Sequence, residues 1–221
     1  MVHRPAVSLP ATTLDWLSLR DHFVATVGPH AGTGQRLGPL LVLADATFAP
    51  RSRFPLHPHR EMEILSIVID GQLSHHGDQA HGMTLGAREA QLISSRDGML
   101  HAEGNDTDTP TRMLQIWFEP TSHGGTPEYF HRTIGAGALQ PVAGDEAMPL
   151  RADVKVFWSD VRSRQAVEFK PGRRGYLLAM RGGVSVQGGP TLAQGDGAEV
   201  GPGQLELRAD DAAVLIIDLA G

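Results

Sequence analysis

Short apolar runs separated by turns follow one another along most of the chain. The apolar stretches are LLVLADATF, EILSIVI, AQLIS, RMLQIWF, VKVFWS, YLLAM, GVSVQ, QLELR and AVLIIDL. Glycine and proline mark the intervals, as in RLGP, IDG, RDG, KPG and VGPG. Many short strands with regular turns are typical of a β-sandwich or β-barrel, so the predicted fold class is all-β. LDWLSLRDHF has some helical spacing but is too short to decide between helix and strand.

A change of composition divides the chain into two parts. The segment TIGAGALQPVAGDEAMPLRAD, over residues 133–153, is small, flexible and polar. On either side, IVIDGQLSHHGDQAHGMTLGAREAQL and AMRGGVSVQGGPTLAQGDGAEV share one rhythm of apolar run, glycine turn, alternating strand and polar turn. We therefore expect two domains, residues 1–135 and 136–221, built as a duplicated barrel.

Composition and charge narrow the classes of partner. The 221 residues carry a formal net charge of −6 without a basic run, which argues against direct binding of nucleic acid. No secretory signal and no run of about 18 apolar residues is present, so we expect a cytoplasmic protein without a membrane span. The chain has no cysteine, which excludes disulfides, iron–sulfur clusters and a cysteine nucleophile. Any metal site must use His, Asp and Glu.

Two short stretches supply such ligands. FPLHPHREME places His57 and His59 two residues apart, and GMLHAEGN does the same with His101 and Glu103. Side chains two apart on a strand share one face, so each pair can bind one ion. By the same alternation Glu63 would continue the face of His57 and His59. Histidine and carboxylate donors with open positions suit iron, manganese, nickel or copper.

All eleven histidines lie between His3 and His131. Only the first domain can therefore carry a histidine-based site. His75 has the alternation of Leu73 and could face a cavity, although a histidine next to a turn is more often solvated.

These stretches resemble the cupin superfamily and, within it, the pirin family. His57, His59, Glu63 and Gly71 match the first cupin motif, and Gly98, His101 and Asn105 match the end of the second. Ala90 and Arg96 replace a glycine and a proline of that second motif. GPLLVLADATFAPRSRFPLHPHREMEILSIVIDGQLSHH and QLISSRDGMLHAEGN look like the pirin core, and the resemblance covers residues 38–133 well.

The resemblance implies a monomeric bicupin, with two tandem jelly-roll barrels and one metal site in the N-terminal domain. It implies one divalent transition-metal ion. Fe(II) is the preferred candidate, and Mn, Ni, Cu and Zn are alternatives. The implied ligands are His57, His59, His101 and Glu103. The general cupin pattern would use Glu63 as the carboxylate ligand. The pirin pattern places Glu63 beside the ligands, where a carboxylate orients their imidazoles.

Two classes of function follow from this resemblance. The first is a dioxygenase similar to quercetin 2,3-dioxygenase, acting with dioxygen on a flavonol-like, enolisable aromatic, with Glu103 also serving as catalytic base. The second is a non-catalytic, metal-dependent regulator that senses redox state and binds a protein partner. An isomerase or epimerase is a weaker third. The same ligands serve each class, so whether the protein is an enzyme stays open at this point.

Overall fold

The computed structural model describes all residues from Met1 to Gly221. The only helical segments are two short 3₁₀ turns, Ala6–Ser8 and Gly28–His30, and the all-β prediction is confirmed. None of its helices has the length and apolar character that crossing a membrane requires.

Twenty strands form the fold. In chain order they are β1 (Val2–Arg4), β2 (Ala11–Thr13), β3 (Leu17–Asp21), β4 (Leu40–Phe48), β5 (Ser52–Arg53), β6 (His57–His59), β7 (Glu63–Asp70), β8 (Gln72–Gly77), β9 (Met83–Gly86), β10 (Glu89–Ser94), β11 (Met99–Asn105), β12 (Thr111–Phe118), β13 (Glu128–Thr133), β14 (Gln140–Ala143), β15 (Val154–Phe169), β16 (Arg173–Arg181), β17 (Val184–Val186), β18 (Thr191–Leu192), β19 (Gly197–Val200) and β20 (Gly203–Ala220).

The chain folds into two compact units. The N-terminal unit comprises Pro10–Thr133 and Glu146–Ala152. It contains a seven-stranded sheet in the order β13-β10-β7-β12-β4-β3-β2 and a five-stranded sheet in the order β5-β11-β8-β9, in which β6 also pairs with β11. All pairings in both sheets are antiparallel.

The C-terminal unit comprises Met1–Leu9, Ile134–Asp145 and Asp153–Gly221. Its eight-stranded sheet has the order β1-β19-β16-β20-β15-β14, with β17 and β18 beside β20. The predicted boundary at residue 135 lies two residues past Thr133, where the N-terminal unit is interrupted, and two further segments differ. The first nine residues join the C-terminal unit because β1 pairs with β19, and Glu146–Ala152 returns to the N-terminal unit.

At the level of single strands the structure changes one sequence expectation and decides one question that the sequence leaves open. The turns around QLELR and AVLIIDL predict separate strands, but both runs lie within β20, which pairs along its length with β15. A bulge between Val161 and Ser163 lets the long pair bend without ending. LDWLSLRDHF contributes β3, in which Leu17, Leu19 and Asp21 are buried and the residues between them are exposed. That alternation is typical of a strand with one buried face.

One line of residues crosses five strands of the seven-stranded sheet. The register pairs Asp21 with Ala44, Ala44 with Gln115, Gln115 with Ser66, and Ser66 with Gln91. Directly paired residues of antiparallel strands project from the same face, so these five side chains form one row, called the polar row below. The adjoining rows on the same face are apolar and include Leu19, Ala46, Met113, Val42, Trp117 and Ile64.

Candidate metal centre

Three histidines of the five-stranded sheet lie together. β6 pairs with β11 so that His57 is opposite His101 and His59 is opposite Met99. The ring centroids of His57, His59 and His101 are 4.7 to 4.8 Å apart. One donor nitrogen from each lies within 4.8 Å of the other two, so small movements would let all three bind one ion.

Burial keeps the imidazoles of His59 and His101 in the neutral form that binds metals. Burial, together with the neighbouring His101 and His57, lowers the pKa of His59 to about 4. Burial also lowers the pKa of His101 to about 4, with Glu103 opposing the shift. Neither ring nitrogen of His101 has a hydrogen-bond partner, nor does Nε2 of His59. Buried nitrogens that are neutral and unpartnered fit a bound metal ion, because coordination would satisfy them.

Glu103 lies beside His101 in a second group of potential ligands, completed by His75. Its carboxylate accepts hydrogen bonds from Ser66 Oγ at 2.7 Å and Gln115 Nε2 at 2.8 Å, and also from Gln91 Nε2. Burial alone would raise the pKa of Glu103. The nearby His101 and the donated hydrogen bonds outweigh burial and hold this pKa below its usual value.

His75 is fully buried rather than solvated. Its ring centroid lies 5.2 Å from that of His101 and 5.8 Å from that of Tyr129. Burial raises the pKa of Tyr129 to about 12, with Glu103 adding to the shift, so the phenol stays protonated at neutral pH. His75 is in ring contact with both His101 and Tyr129.

Glu63 does not face the histidines, contrary to the alternation expected from the sequence. Glu61 adopts a φ of 49° between β6 and β7, which interrupts the strand and shifts the alternation by one residue. The carboxylate of Glu63 instead accepts hydrogen bonds from Ser94 Oγ at 2.6 Å and Arg151 Nε at 2.8 Å. Glu63 belongs to neither group of potential ligands.

A cavity of about 270 Å³ adjoins the centre. His57 and Glu103 line it, together with Gln115 of the polar row. Most of the other lining side chains are apolar and come from β4 and β12, including Val42, Ala46, Phe48, Met113 and Trp117. Its volume is close to the lower end of typical ligand pockets, roughly 300–1,000 Å³. The cavity thus joins a polar end at the potential ligands to a largely apolar body.

Ser66, Gln91 and Gln115, which hold Glu103, were not identified from the sequence. Each is a polar residue inside an otherwise apolar strand, in EILSIVI, AQLIS and RMLQIWF. A buried polar residue needs a partner, so three such interruptions were the available signal. What the sequence could not show is that the register places all three beside Glu103.

Comparison with known proteins agrees with this architecture. Residues 7–118 match the family model described as Pirin, and residues 139–219 match that of the Quercetinase C-terminal cupin domain. A pirin-like protein of Caulobacter vibrioides is 30% identical over 230 residues, covering 98% of each chain. A quercetin 2,3-dioxygenase of Escherichia coli is 30% identical over 190 residues, covering 81% of this chain and 82% of the relative.

Solved structures show the same fold. The bacterial pirin YhhW of Escherichia coli, in complex with nickel(II), superposes with a TM-score of 0.91 at 24% identity, covering 99% of this chain and 98% of YhhW. A quercetin 2,3-dioxygenase of Acinetobacter baumannii superposes with a TM-score of 0.81 at 18% identity, covering 100% of this chain and 86% of that protein. With its two cupin domains and its match to the family model, the chain belongs to the pirin family.

Proposed function

We propose that this protein is a metal-dependent dioxygenase acting on a flavonol-like, enolisable aromatic. His57, His59, His101 and Glu103 hold one divalent transition-metal ion, with Fe(II) as the first choice. The observation that carries the proposal is the cavity, because its polar end lies at His57 and Glu103 and its largely apolar body suits a flat aromatic. The names of the relatives from Escherichia coli and Acinetobacter baumannii support the same class of reaction.

The chain's own residues perform three tasks in this proposal. The ion that His57, His59, His101 and Glu103 would hold would supply Lewis-acid binding of an enolate and the activation of dioxygen. Glu103 accepts the proton of the substrate's enol hydroxyl, and Ser66 and Gln115 hold its carboxylate in place. The aromatic and aliphatic walls, among them Trp117 and Phe48, exclude water from the reacting end.

Metal content and turnover, measured on one sample, test the proposal. The protein as purified would be analysed for metals, then stripped and reloaded anaerobically with Fe(II), Mn(II), Ni(II) or Cu(II). We expect about one equivalent of metal, its loss in the His57→Ala/His101→Ala variant, and oxygen-dependent consumption of quercetin. Metal without turnover of any flavonol would contradict the dioxygenase, and no metal in any preparation would contradict the site itself.

The role of Glu103 gives the first specific prediction. Glu103→Gln removes the proton acceptor but preserves the shape of the side chain and leaves three histidines to hold the ion. We expect at least about a hundredfold loss of quercetin turnover, within the usual contribution of a general base. Glu89→Gln, which alters a carboxylate on β10 outside the centre, is the control and should keep full activity. Unchanged turnover in Glu103→Gln, at equal metal content, would refute the role.

A second candidate function is a metal-dependent regulator that binds a protein partner. The observation in its favour is the exposed apolar surface of Leu56, Pro58 and Leu100, directly next to His57, His59 and His101 in the sequence. Exposed apolar groups that cluster are typical of interaction sites. The Leu56→Glu/Leu100→Glu variant discriminates between the two functions, since it should abolish a partner complex and leave flavonol turnover intact.

A further inference from the structure

Asp21 is a buried carboxyl group for which the chain provides no partner. The residue is 1% exposed, and neither of its side-chain oxygens makes a hydrogen bond. Burying a carboxyl group in this way is unfavourable, and buried polar groups in folded proteins are nearly always satisfied. Burial raises the pKa of Asp21 to about 6, and no neighbouring cation offsets this shift. An unpaired buried carboxyl group lowers the stability of the folded state. The reason for its presence is therefore to be sought in function.

The polar row relates Asp21 to the cavity. Asp21 is paired with Ala44, and it follows Leu19 on the same face of β3. Both Leu19 and Ala44 line the cavity. On the other side of Ala44 the next member of the row is Gln115, which donates to Glu103. Asp21 thus lies directly behind the part of the cavity wall that Leu19 and Ala44 form, and the Gln115–Glu103 pair lines the cavity on the other side of Ala44.

The spacing of this arrangement matches an extended aromatic ligand. Neighbouring strands lie about 4.8 Å apart, so the backbones of β3 and β12, two strands apart, are separated by roughly 10 Å. Ala44 between them has only a methyl group, which leaves the space above it open. A molecule of two or three rings with its enol at Glu103 would have its far end near Asp21.

We propose that Asp21 is a specificity-determining residue, whose carboxyl group accepts a hydrogen bond from a hydroxyl group on the end of the substrate remote from the metal ligands. The inference rests on the proposed function and narrows its substrate class. The preferred ligand is an aromatic enol that also carries a hydroxyl group on an outer ring. An aromatic enol with unsubstituted outer rings leaves Asp21 unpaired.

Equilibrium binding of two flavonols tests this inference without any turnover. The protein would be loaded with redox-inert Zn(II), and its affinity for quercetin and for 3-hydroxyflavone, which lacks the outer hydroxyl groups, would be measured under nitrogen. In Asp21→Leu we expect quercetin to bind at least about tenfold more weakly while 3-hydroxyflavone binds as before. The melting temperature of this variant should be unchanged or higher, because an unpaired buried carboxyl group has been removed.

A matched control is Asp45→Leu on the opposite face of β4. Asp45 pairs with Arg112, with 2.6 Å between Oδ2 and Nη2, so its loss should lower the melting temperature and leave the ratio of the two affinities unchanged. Three results would overturn the inference: equal weakening of both flavonols in Asp21→Leu, no change for either, or no binding of quercetin to the parent protein. Asp21-dependent binding without oxygen-dependent turnover would instead leave the inference intact and sink the dioxygenase alone.

Discussion

Buried carboxyl groups inside the N-terminal unit differ greatly in the number of hydrogen bonds that they accept. Glu103 accepts hydrogen bonds from three side chains, whereas both oxygens of Asp21 have none. The polar row therefore favours an ionised Glu103 at one side and disfavours an ionised Asp21 at the other. Opposite protonation tendencies of two carboxyl groups on one sheet face are typical of functional sites.

The free energy of unfolding should depend on pH because the pKa of Asp21 is raised in the folded protein. This pKa rises from 3.8 in the unfolded chain to about 6 in the folded one, so the folded state holds the proton more tightly. Stability from this group is fully present below pH 3.8 and is lost as the pH rises towards 6. Relative to the parent, Asp21→Asn should gain up to about 3 kcal/mol of unfolding free energy between pH 4 and pH 7.

Urea unfolding of both proteins at a series of pH values measures this difference, and the comparison cancels the titration of all other groups. Asp45→Asn serves as the control, because its carboxylate is paired with Arg112 and should show no such gain. A constant difference between Asp21→Asn and the parent across this pH range would contradict the raised pKa.

At the scale of elements, the break between β6 and β7 determines which glutamate joins the histidines. Glu61 adopts a left-handed backbone conformation there, and its carboxylate accepts hydrogen bonds from the backbone nitrogen of Gly124 at 2.7 Å and the His123 ring at 3.2 Å. The chain consequently changes direction between the ligand strand and the strand that carries Glu63. These hydrogen bonds hold the turn that directly follows His59 and Arg60.

Substitutions at Glu61 test the importance of the turn. Asparagine tolerates a positive φ, whereas a β-branched residue is strained there by about 1–2 kcal/mol. Both variants lose the carboxylate, so comparing them isolates the backbone effect. We expect Glu61→Val to have a lower melting temperature and weaker metal binding than Glu61→Asn, measured by calorimetric titration of the metal-free protein. Equal metal affinities in the two variants would show that the turn does not position His59.

The sequence predicts strands well where one face is buried, and less well where the backbone departs from regularity. LLVLADATF corresponds residue for residue to β4, because period-two alternation and its flanking glycine and proline agree. The left-handed turn at Glu61 has no signal in residue type, since glutamate rarely adopts it. The histidine pairs could be read from spacing alone. The donors that hold Glu103 could not, because they depend on the register of four strands.

At the scale of the whole molecule, the two units differ in the chemistry available to them. Ten histidines lie in the N-terminal unit, and the remaining one, His3, pairs with Asp196 at 3.0 Å in the C-terminal unit. A histidine-based centre is thus confined to the N-terminal unit. The short segment Glu146–Ala152 belongs to that unit although the chain has already formed β14 of the other.

An ion pair and a hydrogen bond of Arg151 link this segment to the rest of the N-terminal unit. Its guanidinium pairs with Glu63, whose side chain is fully buried, and it also donates to the backbone oxygen of Ser122. Arg151→Met should lower the free energy of unfolding by about 3–5 kcal/mol, because Glu63 would be left as an unpaired buried charge. The double variant Glu63→Met/Arg151→Met should recover most of that loss.

Urea unfolding provides the measurement for these variants. Arg36→Met is the comparison, since the pair of Arg36 and Glu119 is exposed and its loss should cost about 1 kcal/mol or less. If Arg151→Met were no more destabilising than Arg36→Met, the segment would be held by something other than this ion pair.

Ala44 has a consequence for how this protein can be studied in a living cell. Its methyl group leaves open the middle of the polar row, so a leucine there would fill the substrate space and leave every potential metal ligand unaltered. An Ala44→Leu allele would therefore separate the two candidate roles genetically. A phenotype that survives this allele reports on signalling through the metal, and a phenotype that disappears with it reports on chemistry.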